Sequence, residues 1–150
     1  NVPTLSIASV AGFNTPSNPG GSYSQPDILL PSATTNPVTV HITATNIPVV
    51  TTVTVTVTPQ YGSSTSVNAT LSGTDASSTA DANVNLSTQY SNVITAQATF
   101  QILTAMYYDG EKIEKVRVAA TMGKGSEVTY ITKSGKEIKS TDLLAKLMGR

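Results

Sequence analysis

Serine, histidine and aspartate together can form a nucleophilic catalytic triad, and the chain contains all three residue types. Its one histidine, His41, lies between Val40 and Ile42 in a stretch that alternates apolar and polar residues. On a strand this alternation places His41 on the polar face, where a histidine that is simply part of the surface is the ordinary case. Since the sequence places no serine or aspartate beside it, we predict no catalytic residue and no enzymatic activity.

Calcium binding is the second chemistry that the residue types permit. Asp75, Asp81 and Asn83 lie in the segment GTDASSTADAN, but calcium takes six to eight oxygen ligands and this spacing matches no established calcium loop. The absence of cysteine excludes disulfides, thiolate catalysis and cysteine zinc sites. We therefore predict no metal site and no cofactor. The glycosylation patterns at Asn68 and Asn85 are expected by chance in a chain so rich in Asn, Ser and Thr.

Charge divides the chain into two parts. The first 106 residues contain no Lys or Arg, and 34 of them are Ser or Thr, whereas all nine basic residues lie between Lys112 and Arg150. This shift predicts a boundary near Tyr107, with a domain over residues 1–106 and a charged module over residues 107–150.

The composition also indicates where the protein is located and which partners it binds. A surface that carries hydroxyls in place of Lys and Glu is typical of secreted proteins, so we expect an extracellular or cell-surface location. The formal net charge is zero and no apolar run reaches the length that spans a bilayer. We therefore expect no nucleic-acid partner and no membrane insertion.

Strict alternation of valine and threonine marks residues 50–62, VTTVTVTVTPQYG. Side chains on a strand alternate sides, so Val53, Val55 and Val57 are predicted to face a core. The threonine row on the other face (Thr52, Thr54, Thr56 and Thr58) is expected to be outer surface. An ice-like template, the alternative, would need such rows on neighbouring strands, and only this strand carries one in the sequence. About seven stretches of this kind, separated by turn residues, predict an antiparallel β-sandwich, so the fold class is all-β.

The second part combines short strands with a helical tail. Turn signals at residues 109–110, 123–125 and 134–135 separate alternating segments, which predicts a small β-hairpin module. The tail STDLLAKLMGR predicts a short C-terminal helix that Ser140 or Thr141 caps. So short a helix must bury its apolar stripe on the hairpins, on the sandwich or on another subunit. The stripe consists of Leu143, Leu144, Leu147 and Met148.

The segments NPVTVHITATNIP, TTVTVTVTPQYG, ATLSGTDASSTADANVNL and SNVITAQATFQI carry a family resemblance. Over residues 1–104 the chain resembles the immunoglobulin-like and fibronectin-like modules of bacterial secreted and surface proteins. It has neither the cysteine pair nor the tryptophan of antibody-type domains. The resemblance implies an immunoglobulin-like β-sandwich and an extracellular structural or adhesive module, and it implies no catalytic residue.

The N-terminal segment NVPTLSIASV is predicted to be a strand that can pass to a neighbouring copy, because the Pro- and Gly-rich residues 14–26 follow it. We therefore predict an extracellular structural protein that assembles with copies of itself into a filament or surface layer by strand exchange. The residues expected to make these contacts are Val2, Leu5, Ile7, Val10, Leu143, Leu144, Leu147 and Met148. The alternative is a secreted adhesive module that recognises a glycan or a surface protein through sandwich loops. Aromatic residues make up only 5% of the chain, which favours assembly over sugar binding.

Overall fold

A computed structural model describes residues 2–11, 28–29, 36–102, 104–122 and 124–147 of the chain. These residues form an all-β structure of antiparallel strands with one short helix, as the alternation predicted. In chain order the elements are β1 (Thr4–Ala11), β2 (Ile28–Leu29), β3 (Val38–Thr45), β4 (Thr52–Pro59), β5 (Thr65–Thr70), β6 (Ser72–Gly73), β7 (Ser78–Val84), β8 (Asn92–Gln101), β9 (Tyr107–Tyr108), β10 (Glu111–Thr121), β11 (Glu127–Thr132), β12 (Glu137–Lys139) and α1 (Ser140–Leu147).

The strands form two sheets. The smaller sheet has the order β1-β3-β7-β6, and the larger has the order β12-β11-β10-β8-β4-β5. Two short strands extend the larger sheet: β2 pairs with the start of β8, and β9 pairs with the start of β10. The described residues therefore confirm a two-sheet β-sandwich.

Alternation explains the core between the sheets. On β4 the three valines Val53, Val55 and Val57 are fully buried, and the threonines between them are half-exposed. Every second residue of β3 and β7, and of β8 as far as Ala98, is buried in the same way. Burying one such side chain contributes roughly 1.5–3 kcal/mol, so the repeated pattern holds the two sheets face to face.

The larger sheet runs across the predicted boundary at Tyr107. Strand β10 pairs with β8 from Lys115–Gln101 to Thr121–Thr95, and its residues Val116 and Val118 belong to the main core. The change in composition therefore does not coincide with a break in the sheet. The division into a domain over residues 1–106 and a module over residues 107–150 stays a prediction.

The C-terminal region also has a small apolar cluster of its own. Ile113 of β10, Ile138 of β12 and Leu143 of α1 are buried against one another. The helix begins at Ser140 with Asp142 in its first turn, where a carboxylate favours the helix dipole. Of the predicted stripe, Leu143 is thus buried on the hairpin strands. The side chains of Leu144 and Leu147, and the whole of Met148, lie outside the described residues.

The chain changes sheets at Leu71. Residues 66–73 alternate as one strand would, but β5 pairs with β4 in the larger sheet and β6 pairs with β7 in the smaller. Leu71, between them, is fully buried and its N–H donates to the carbonyl of Thr51 at 3.0 Å. This crossing joins the two sheets at one edge of the sandwich, and it is a tertiary contact that local periodicity does not contain.

Candidate functional site

Cross-strand pairing places a serine, the histidine and an aspartate in one row of the smaller sheet. In the register, Ser9 of β1 lies opposite His41 of β3, which lies opposite Asp81 of β7. The His41 Nδ1 atom is 2.6 Å from Asp81 Oδ1, which is hydrogen-bonding distance. The sequence could not predict this row, because residues 9, 41 and 81 are distant along the chain and meet only through strand pairing.

The surroundings of this row favour a surface hydrogen bond over catalysis. His41 is half-exposed and Asp81 is exposed, so water competes for both groups. Strand β3 pairs with β1 on one side and with β7 on the other, so its backbone N–H groups are used in hydrogen bonds between strands. An oxyanion site needs fixed donors that are shielded from water, and neither described cleft is lined by these residues. The expectation of no enzymatic activity stays a prediction.

The three oxygen donors considered for calcium do not converge. The Oδ1 atom of Asp75 accepts the N–H of Val49 at 2.9 Å in a loop, whereas Asp81 lies mid-strand on β7 beside His41. Asn83 Oδ1 accepts the hydroxyl of Thr39 at 2.8 Å. Within the described ranges, no three His, Cys, Asp or Glu residues are close enough to hold a metal ion.

The threonine row has hydroxyl and amide neighbours on both adjacent strands, although neither of these strands repeats the row of threonines. On one side, Thr95 and Gln97 of β8 lie opposite Thr56 and Thr54. On the other side three polar pairs link the row to the β5 segment: Thr54 with Asn68 at 2.9 Å, Thr56 with Ser66 at 2.9 Å and Thr58 with Ser64 at 2.8 Å. These hydroxyls bond to one another, so the face is an ordered, uncharged outer surface.

Strand β1 forms one edge of the smaller sheet. Leu5 and Val10 are buried in the main core, and Ile7 packs against it half-exposed, with a bulge between Ile7 and Ser9. On its free side β1 has no partner strand among the described residues. It carries no charged side chain to protect that edge. Leu5, Ile7 and Val10, which were predicted to make assembly contacts, therefore pack in or against the core from a strand at the edge of the sheet.

Val2 lies outside the core, beside the C-terminal elements. It is exposed, and it lines a cleft of about 380 Å³ with Glu127 of β11, Lys139 of β12 and Ser140 of α1. The two ends of the described chain that were predicted to make assembly contacts are thus close together in space.

Two exposed tyrosines meet at one end of the sandwich, a feature that the sequence analysis missed. Tyr61 follows β4 and Tyr90 precedes β8, and adjacent strands bring them to the same end. Their ring centroids are 5.0 Å apart with the planes at 74°, an edge-to-face pair. Tyr61 is 63% exposed and Tyr90 is 38% exposed. We call residues 60–64 and 85–91 the tyrosine tip; the sequence signal was one Tyr beside one Gln in each of two polar loops.

Buried polar side chains hold the tyrosine tip in shape. Asn92 is fully buried; its Nδ2 donates to the carbonyls of Ser87 and Tyr90 at 3.1 and 3.2 Å, and its Oδ1 accepts the N–H of Ser87 at 2.9 Å. The Ser87 Oγ accepts the N–H groups of Gln89 and Tyr90, both at 3.2 Å. The N–H of Gln60 donates to the carbonyl of Ser91 at 2.8 Å, which ties the two loops together.

The opposite end of the sandwich has a cleft and a strained residue. The cleft has a volume of about 430 Å³, and Pro48, Asp75 and Phe100 are among its lining residues. Next to Pro48, Val50 is 76% exposed and has a φ of 63°, a conformation that β-branched residues rarely adopt. Strand β4 separates this end from the tyrosine tip by roughly 25 Å.

Comparison with known proteins identifies no similar protein. No protein-family model matches the chain, and neither the curated proteins nor the solved structures gave a significant match. The one helix in the described part of the chain is too short to cross a bilayer.

Proposed function

We propose that the chain is an extracellular structural protein that assembles with copies of itself by exchange of strand β1. In this proposal the sandwich is immunoglobulin-like and β1 of one copy completes the smaller sheet of the next. The observation that carries the proposal is the placement of β1 at a sheet edge with Leu5 and Val10 in the core. Because β1 lies at an edge, the β1 strand of a second copy can occupy the same place and bury the same side chains.

The connection that follows β1 is long enough for exchange. Residues 12–27 join β1 to β2, which pairs with β8, and an extended chain spans roughly 3.3–3.6 Å per residue. Both arrangements bury the same side chains, so their relative stability depends on chain entropy and on the contacts between copies. A head-to-tail contact of this kind need not close into a ring, which gives filaments.

Surface composition supports a location outside the cell. The hydroxyl face on β5, β4 and β8 is polar without Lys or Arg, and the side chains of β4 hydrogen-bond to those of the β5 segment. Such a surface suits lateral packing in a surface layer, where like-charge repulsion between copies would oppose assembly. The expected partner is therefore a second copy of the same chain.

A cross-link tests strand exchange directly. Thr4 and Thr45 face each other in the β1–β3 register, and their hydroxyls are hydrogen-bonded. Because the chain contains no cysteine, every disulfide in the Thr4→Cys, Thr45→Cys double variant involves positions 4 and 45 alone, and the single variants show how much arises from pairing of like positions in two chains. Cross-strand pairs of this kind have the spacing that a disulfide needs.

After oxidation and denaturation, exchange predicts a ladder of covalently linked chains on a non-reducing gel, and pairing within one chain predicts a single monomer band. The two single variants are the controls, since each can form at most a dimer. A monomer band only, together with a single monomeric species of the native protein in sizing and electron microscopy, would refute the proposal.

The tyrosine tip favours a second candidate function, a secreted adhesive module. Exposed aromatic side chains on rigid loops are typical of recognition surfaces. Tyr61 and Tyr90 lie in loops at one end of the sandwich, whereas the free side of β1 is the edge of a sheet. Adhesion and assembly therefore use different surfaces and are compatible in one protein.

A further inference from the structure

We infer that the tyrosine tip is a binding site for neutral polysaccharides, with Tyr61 and Tyr90 as the stacking residues. The inference rests on the adhesive candidate and is independent of assembly through β1. It starts from the exposure of the pair, since an aromatic ring that is 63% exposed on a rigid loop leaves apolar area in water.

Aromatic faces suit sugars for an electrostatic reason. The face of a tyrosine ring is the negative part of its quadrupole, and the C–H groups of a pyranose ring are weakly positive. In the edge-to-face pair at 74°, the two rings present surfaces at different angles. A bent site of this kind can contact two successive sugar units of one chain.

The polar residues of the tip match hydroxyl groups. Gln60, Thr88 and Gln89 are exposed beside the rings, and amide groups both donate and accept hydrogen bonds, as sugar hydroxyls do. The tip contains no Asp, Glu, Lys or Arg. This favours an uncharged ligand, because an anionic polymer would find no cation to replace its counterions.

Preorganisation lowers the cost of binding. The Asn92 and Ser87 hydrogen bonds fix the Tyr90 loop, and the Gln60–Ser91 bond fixes the Tyr61 loop to it. A second pair of hydrogen bonds anchors the base of the Tyr90 loop: Asn36 donates to the carbonyl of Leu86 at 2.9 Å and accepts its N–H at 3.0 Å. Because the two loops are already held in place, ligand binding costs little additional conformational entropy.

The size of the tip favours a glycan over a protein partner. A stable protein complex buries roughly 800 Å² on each partner, contributed by about 20–30 residues a side. The tip consists of two short loops with two large side chains, residues 60–64 and 85–91. One or two sugar rings cover such an area.

Affinity electrophoresis of the 150-residue chain tests the inference. Native gels are cast with a neutral mannan, a neutral β-glucan or a neutral galactan as probes, and with anionic polygalacturonate as the charged comparison. We expect retardation by at least one neutral polymer and none by polygalacturonate. Tyr61→Ala and Tyr90→Ala should each weaken the retardation about tenfold or more, as the loss of one stacking ring predicts.

Tyr107 provides a matched control. It is 61% exposed, almost as much as Tyr61, and lies on β9. Tyr107→Ala should leave retardation unchanged, and Tyr61→Phe should retain most of it because the ring is preserved. Thermal melting of each variant checks that the fold is intact.

Two outcomes would overturn the inference. The first is a native protein that none of the neutral polymers retards, and the second is retardation that persists undiminished in both alanine variants. If the first outcome is accompanied by loss of self-assembly in Tyr61→Ala, the tip is a contact between copies. Strand exchange has its own readout in the Thr4 and Thr45 cross-link, so failure of one proposal leaves the other standing.

Discussion

At the scale of single residues, Val50 combines a strained backbone with an exposed side chain. The turn closes by a bond from the N–H of Thr51 to the carbonyl of Pro48 at 3.3 Å, which makes Val50 its third residue. A positive φ at this position normally requires Gly or Asn. The strain persists because the N–H of Val50 also donates to the carbonyl of Leu71 at 3.0 Å, at the point where the chain changes sheets.

Val50→Asn is expected to raise the free energy of unfolding by about 1 kcal/mol, because Asn tolerates the left-handed conformation and the exposed valine makes little packing contact. Urea denaturation measures the change. Val50→Thr is the control: it removes the exposed apolar surface but keeps the branched side chain, so it should leave stability unchanged. Equal stabilisation by both substitutions would contradict the role of backbone strain.

At the scale of elements, the turn between β6 and β7 depends on a glycine that contacts its neighbours closely. Gly73 has a φ of +128°, and a Cβ atom there would lie 2.8 Å from the carbonyl oxygen of Ser77. Thr74 and Ser77 exchange backbone hydrogen bonds of 2.9 and 3.1 Å, which hold this carbonyl in place. The turn therefore cannot open to admit a side chain without losing bonds.

Gly73→Ala should destabilise the protein by about 3 kcal/mol or more, through left-handed strain and steric overlap together. Gly110→Ala is the matched substitution, since Gly110 also has a positive φ, +80°, but nothing lies within 4 Å of its Cβ position. It should cost only about 1 kcal/mol. Calorimetric melting of both variants separates backbone strain from steric overlap. Equal losses of stability in the two variants would show that the close contact between residue 73 and Ser77 is unimportant.

At the scale of the whole molecule, charged groups on the C-terminal strands make stability depend on pH. Arg117 of β10 and Glu137 of β12 form two hydrogen bonds, of 2.6 and 3.1 Å, that reach across β11. These bonds hold the pKa of Glu137 below its ordinary value of 4.5. Hydrogen bonds from Ser134 lower the pKa of Glu111 in the same direction.

Both carboxylates are more acidic in the folded chain, so they stabilise it fully above pH 4.5 and lose this contribution as the pH falls through their lowered pKa values. Urea unfolding from about pH 7 to about pH 3 should show a decline at the acid end. Glu137→Gln should flatten part of that decline. Glu127→Gln should not, since the exposed Glu127 has no ion pair in the part of the chain that the structure describes. A pH profile that Glu137→Gln leaves unaltered would contradict this assignment.

Local patterns predicted those features that depend on one strand at a time. Alternation assigned Val53, Val55 and Val57 to the core, and all three are buried. An apolar stripe of four residues predicted the C-terminal helix, which begins at Ser140, and the burial of its first member, Leu143. These predictions succeed because side chains two apart on a strand, or three to four apart on a helix, share a face wherever the element packs.

Long-range pairing decided the surfaces on which function depends. The sequence determined the all-β class, the buried faces and the uncharged, hydroxyl-rich composition of the first part. Only the tertiary structure placed Tyr61 beside Tyr90, gave the threonine row its neighbours on β5 and β8, and joined β10 to β8. The physical reason is that periodicity is local, whereas strand order and register follow from the joint packing of all the apolar faces, which no single segment of the chain encodes.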